Sequence, residues 1–168
     1  MNKKVRICKK PARVFFTHLS PLCKDCFVLL LRRRARKSIR DHGELKPNQK
    51  VFIDDKGALP AVFKSAITGL PLKYVKKPNA EVIIEGKTAD DEAVEFLENL
   101  FAGKKQKKSK TLNIFENITT AELEKYCELT KIKNENRKKS GLRQKLEELE
   151  QRYPGIMFAL QKSSKTMS

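Results

Sequence analysis

Two rhythms of apolar residues alternate along the chain. Short apolar runs of strand length stand at residues 50–54, 81–85 and 112–115. Between them, apolar residues recur at helical spacing. Val28, Leu31, Ala35 and Ile39 predict a helix over 27–40 that ends at His42 and Gly43. A short helix is predicted over 60–68, opening on Pro60 and stopping before Gly69. Thr88 with Asp91, and Thr119 with Glu122, each form a capping box. The helix behind Thr88 is predicted to bury Ala93, Leu97, Leu100 and Phe101. The helix behind Thr119 should bury Leu123, Tyr126 and Cys127. A last helix carries Leu142, Leu146 and Leu149 and stops at Tyr153, Pro154 and Gly155. The first 26 residues read as a short irregular or β-rich head. Strand, helix, strand, helix, strand, helix is the order of a parallel sheet covered by helices. Such sheets bind ligands at the carboxyl ends of their strands.

Charge changes this picture most. The chain has 37 Lys and Arg against 20 Asp and Glu, a formal net charge of +17. Such an excess opposes compaction unless an anion answers it. Phosphate backbone is the commonest answer, through counterion release. The 27–40 helix contains no acid, and its Arg32, Arg33, Arg36, Lys37 and Arg40 form a cationic surface. Arg suits phosphate because its planar fork donates hydrogen bonds in pairs. These five residues are the first candidates for RNA contact. Lys104, Lys105, Lys107 and Lys108, in a polar loop near residues 103–111, are weaker candidates. A solvated outer face and a flexible linker are the alternatives for the two segments.

Four cysteines bring in possible metal chemistry. Cys23-x-x-Cys26 at the mouth of a helix is half of a zinc site, since two thiolates in one turn can reach one tetrahedral metal. Cys8 and His18 could complete a Cys3His set, although Pro11 stands where a second paired Cys belongs. The alternative is a vestigial knuckle of small buried residues. Cys127 reads as buried filler. Asp90, Asp91 and Glu92 are accounted for by capping and the first-turn helix dipole. A phosphate loop is expected after the first predicted strand. Residues 54–60 instead hold one Gly, the acids Asp54 and Asp55, and Pro60, which has no N–H. No ATP binding is expected there. The longest apolar run, 26–31, is too short to span a bilayer, and the basic start lacks a signal peptide's apolar stretch. A cytoplasmic protein with no membrane partner is expected.

The order of landmarks resembles the tRNA 2-thiolation proteins of the PP-loop, or adenine-nucleotide alpha-hydrolase-like, superfamily. Residues 22–27 with the basic helix resemble that family's second zinc-finger pair and linking helix. Residues 47–53 resemble the approach to its first strand, and 86–93 running on to 98–103 resemble its GHNxDDxA and NLxxG segments. Residues 146–155 with Met157 to Leu160 resemble its closing helix. The resemblance implies a reduced Rossmann-like parallel sheet flanked by helices, over 46–168, behind a zinc-finger-like head over 1–45. It implies tRNA as partner and zinc as a possible cofactor.

Departures from the family matter too. Its Ser-Gly-Gly-x-Asp-Ser motif, catalytic Cys and later Cys-Pro motif are missing, and Lys87 and Thr88 replace its His-Asn pair. The chain is also shorter than a full member. These losses predict a chain that is not an enzyme: a tRNA-binding accessory to a catalytic thiolation subunit, closest in character to cytoplasmic tRNA 2-thiolation protein subunit 2. A minimal ATP-dependent tRNA sulfurtransferase and an interaction module without an RNA role are the alternatives.

Overall fold

A computed structural model describes residues 10–43, 45–53, 57–104, 111–133 and 140–166. The head is an antiparallel hairpin of β1 (Val14–Phe16) and β2 (Leu19–Leu22). It feeds α1 (Lys24–Asp41). Then follow β3 (Lys50–Ile53), α2 (Leu59–Ala66), β4 (Lys73–Tyr74), a 3-10 turn at Lys77–Asn79, β5 (Val82–Glu85), α3 (Ala89–Phe101) and β6 (Leu112–Asn113). Three helices close the chain: α4 (Thr120–Thr130), α5 (Gly141–Arg152) and α6 (Ile156–Thr166).

The four later strands form one parallel sheet in the order β4-β3-β5-β6. Val51 and Ile84 lie fully buried at its centre. This fits the apolar runs of β3 and β5, because a parallel sheet is covered on both faces. The crossovers β3-α2-β4 and β5-α3-β6 step in opposite directions. Right-handed crossovers therefore place α2 and α3 on opposite faces. The apolar contacts divide accordingly. Phe27, Leu31 and Ala35 of α1 share one cluster with Val62 and Phe63 of α2, Val51, Ile84, and Leu123 and Tyr126 of α4. Ala93, Leu146 and Met157 form a second, smaller cluster that joins α3, α5 and α6.

Both predicted capping boxes are present, at Thr88 with Asp91 and at Thr119 with Glu122. The predicted burial of α3 needs correction. Its buried stripe is Ala89, Ala93 and Phe96, while Leu100 and Phe101 are 50% and 75% exposed. The stripe faces α6 at helical spacing, and the last turn of α3 turns these two residues outward. Leu149, one of the three leucines spaced along the last predicted helix, is exposed. The 112–115 strand pairs only at Leu112 and Asn113.

The apolar spacing ends the last predicted helix at Tyr153 to Gly155, and the structure adds a separate helix beyond it. The turn there reverses at Gly155 (φ 93°) and starts α6. Glu150 of α5 accepts hydrogen bonds from the Gly155 N–H at 2.6 Å and the Met157 N–H at 3.1 Å. A carboxylate at this place satisfies orphan donors and complements the helix dipole. Near the far end of α6, Lys165 pairs with buried Glu116, which also stands 3.4 Å from His42 Nε2.

Candidate nucleic-acid interface

Helix α1 sorts its cations by direction. Phe27, Leu31, Ala35, Ser38 and Ile39 form the buried face. Arg33, Arg36, Lys37 and Arg40 follow at i, i+3, i+4 and i+7, so they lie on one face. All four are exposed. Arg36 Nε also donates to the Ala66 carbonyl at 2.9 Å, which ties the stripe to the last turn of α2. Arg32 lies at the flank, half-buried. The structure thus brings four of the five predicted α1 cations into a single stripe, with Arg32 beside it.

The lysine loop is placed only at its start. Lys104 is exposed at the end of α3, on the other side of the sheet from α2, and does not join the stripe. Lys105, Lys107 and Lys108 lie outside the described residues.

Arg34 turns the opposite way from the stripe. Its guanidinium donates to both oxygens of Glu122 at 2.8 and 3.0 Å and to the Asn117 carbonyl at 3.2 Å. Glu122 is fully buried and also accepts the Thr119 N–H. Burial pushes the Glu122 carboxyl up. The His18 hydrogen bond, the Arg34 charge and the Thr119 N–H outweigh burial and hold it below the usual carboxylate range.

His18, expected as a metal ligand, belongs to this same buried cluster. Its Nε2 lies 3.0 Å from Glu122 and its Nδ1 3.6 Å from Glu150. Both ring nitrogens therefore face carboxylates. The ring also packs on Phe16 and edge-on against Phe158. Cys23 is buried as the N-cap of α1, its Sγ accepting the Cys26 N–H at 3.4 Å. Cys8 lies outside the described residues. Cys127 is buried in the main cluster, as expected. Among the described residues, no three His, Cys, Asp or Glu side chains stand together as a metal site.

Among the described residues, packing is close just after β5. A Cβ on Gly86, just after β5, would lie 3.1 Å from Leu59 and from the Phe115 ring. Leu59 and Phe115 are both buried. They pack against the residue that follows β5, and strand order reverses between β3 and β5, where a ligand is expected in such a sheet. Asp90 is only 4% exposed and accepts the Thr120 N–H at 2.9 Å. Its other oxygen is buried without a hydrogen-bond partner among the described residues. Burial raises the Asp90 carboxyl above its ordinary range, against the hydrogen bonds from Thr120 and the charge of Arg143. The sequence accounts for the acidic triplet by capping and the helix dipole. It misses that Asp90 reaches across to α4, Asp91 to Arg143, and Glu92 to Asn113 and Gln161.

No family model and no curated protein matches the sequence. Among solved structures, the chain is similar to the U34-tRNA thiolase NcsA from Methanococcus maripaludis, described with its 4Fe-4S cluster. The TM-score is 0.72 at 16% identity, over 96% of this chain and 85% of that chain. Thiolates hold such clusters. The described residues of this chain do not fit one: Cys23 and Cys26 open α1, Cys127 lies within α4, and no metal-holding group forms among them. The match corrects the expectation that the chain is not an enzyme, because the fold that spans nearly all of it belongs to an enzyme. No helix among the described residues is long and apolar enough to cross a membrane. With a parallel four-stranded sheet flanked by helices, the chain shares the fold of that thiolase.

Proposed function

We propose that this chain binds tRNA through the α1 stripe and serves wobble-uridine 2-thiolation. The carrying observation is the single outward row of Arg33, Arg36, Lys37 and Arg40 on a helix with no acid between Phe27 and Arg40. Exposed cations in a row gain from counterion release when they meet a phosphate backbone. Arg32 flanks the row. Lys104, Lys105, Lys107 and Lys108 form a second contact in this proposal. The thiolase fold supports thiolation as the process served. A second thiolation subunit is the protein partner proposed. The test is to delete the gene and measure 2-thiouridine in bulk tRNA. Loss of the thiolated base, restored by the wild-type chain, supports the reading. Unchanged thiouridine contradicts it.

The enzyme fold favours a second reading, in which the chain itself performs an ATP-dependent step on tRNA. That reading needs room for a nucleotide, and Leu59 and Phe115 stand close against Gly86 just after β5. Release of AMP by the purified chain, dependent on tRNA, is its test.

A further inference from the structure

The α1 stripe does not end at α1. Arg36 holds the Ala66 carbonyl at the end of α2. Two residues earlier, Lys64 places its ammonium 5.9 Å from the centre of the Tyr74 ring. Tyr74 stands on β4, the outer strand of the sheet, and is 52% exposed. Lys73 beside it is exposed and pairs in register with exposed Lys50 on β3. Lys76 and Lys77 follow, both exposed. From Gly57 to Ala80 the chain holds no acid at all.

Lysines on an edge strand often guard against edge-to-edge pairing. That accounts for Lys73. It leaves unexplained an exposed aromatic ring under a lysine of another element, and lysines that stand on α2 and at the 3-10 turn. A ring set among cations is the arrangement that holds single-stranded nucleic acid: the ring stacks a base and the cations hold the flanking phosphates.

We infer that Tyr74, with Lys64, Lys73, Lys76 and Lys77, stacks an unpaired base of RNA and grips its neighbouring phosphates. The inference rests on the proposed RNA binding and extends it. Backbone lies along α1, and an unpaired segment continues past the end of α2 onto the sheet edge.

The test measures fluorescence anisotropy of a short labelled oligouridine, of an RNA duplex of the same length, and of polyglutamate competing with each. Tyr74→Ala should weaken oligouridine binding roughly tenfold and leave duplex binding within about twofold, since stacking needs an unstacked base. Tyr74→Phe keeps the ring and should restore binding. Three outcomes overturn the inference: oligouridine binding unchanged in Tyr74→Ala, equal losses for duplex and single strand, or polyglutamate displacing RNA at equal charge. The last would assign the patch to an acidic protein surface. Arg33→Ala with Lys37→Ala separates the two readings. If that variant loses RNA while Tyr74→Ala does not, the stripe stands and the stacking site fails. If no variant affects RNA binding, both fail. Tyr74 is largely solvent-facing, and unchanged melting of Tyr74→Ala establishes that the variant is folded.

Discussion

Arg34 of α1 and Glu122 of α4 are joined by a hydrogen-bonded ion pair at 2.8 Å whose carboxylate is sealed from solvent. Through it the basic helix is anchored to the domain, while the neighbouring cations face outward. The same carboxylate completes the α4 capping box by accepting the Thr119 N–H, so one side chain serves two elements.

Glu122→Ala should therefore destabilise the protein strongly. Removing one partner of a buried pair leaves a charge without compensation, at a cost of about 3–5 kcal/mol. Thr119→Ala removes only the cap and should cost about 1 kcal/mol. Urea unfolding of both variants checks the difference. Equal, small losses would mean that Arg34 finds another partner.

Acid should act through the same residue. The Glu122 carboxyl is held below its ordinary range when folded, so its stabilisation is present above the unfolded carboxylate pKa. It is lost as pH falls below about 4 and through the folded value. Asp90 works in the other sense: burial raises its folded value, so its ionised form disfavours folding as pH rises out of the acid range. Asp90→Asn should leave stability at neutral pH equal or higher. Glu122→Gln should flatten the acid limb of the stability curve. A Glu122→Gln curve that parallels wild type below pH ~4 contradicts this assignment.

Glu150 should control α6. Its oxygens take up the N–H groups of Gly155 and Met157 at the helix start. Glu150→Ala should cost about 1 kcal/mol and speed amide exchange in α6 more than in α1. Exchange that rises equally in both helices would mean that Glu150 stabilises the fold without capping.

Gly86 should not tolerate a side chain. A methyl group there meets Leu59 and Phe115 at 3.1 Å. Gly86→Ala should destabilise by about 1–3 kcal/mol, as overpacking does. Adding Leu59→Ala should recover part of that loss if the clash is the cause. An additive loss would place the cause in the backbone.

What the sequence made legible was local. Thr88 with Asp91 and Thr119 with Glu122 are three residues apart, and their caps form as the spacing predicts. Val51 and Ile84 announce a covered sheet by their apolar runs. What it hid was set by distant partners. Five arginines between 32 and 40 look alike in one dimension. Arg34 differs only because Glu122, 88 residues away, meets it in the fold. His18 sits near Cys23 in sequence and invites a zinc knuckle, yet its partner Glu122 is 104 residues on. Leu100 and Phe101 carry the right periodicity, but nothing in the helix itself tells where the neighbouring α6 ends its contact. The start of α6 depends on Glu150 reaching forward across a turn, a signal outside the usual capping pattern.

The most direct test is the salt dependence of tRNA binding by wild type and by Arg33→Ala/Lys37→Ala/Arg40→Ala. Each phosphate contact contributes about 0.7–0.9 to the slope of log affinity against log salt. Wild type should bind more weakly as salt rises, and the triple variant should show a slope shallower by roughly two to three. Wild-type binding that ignores salt, or a variant slope identical to wild type, would contradict phosphate recognition by α1.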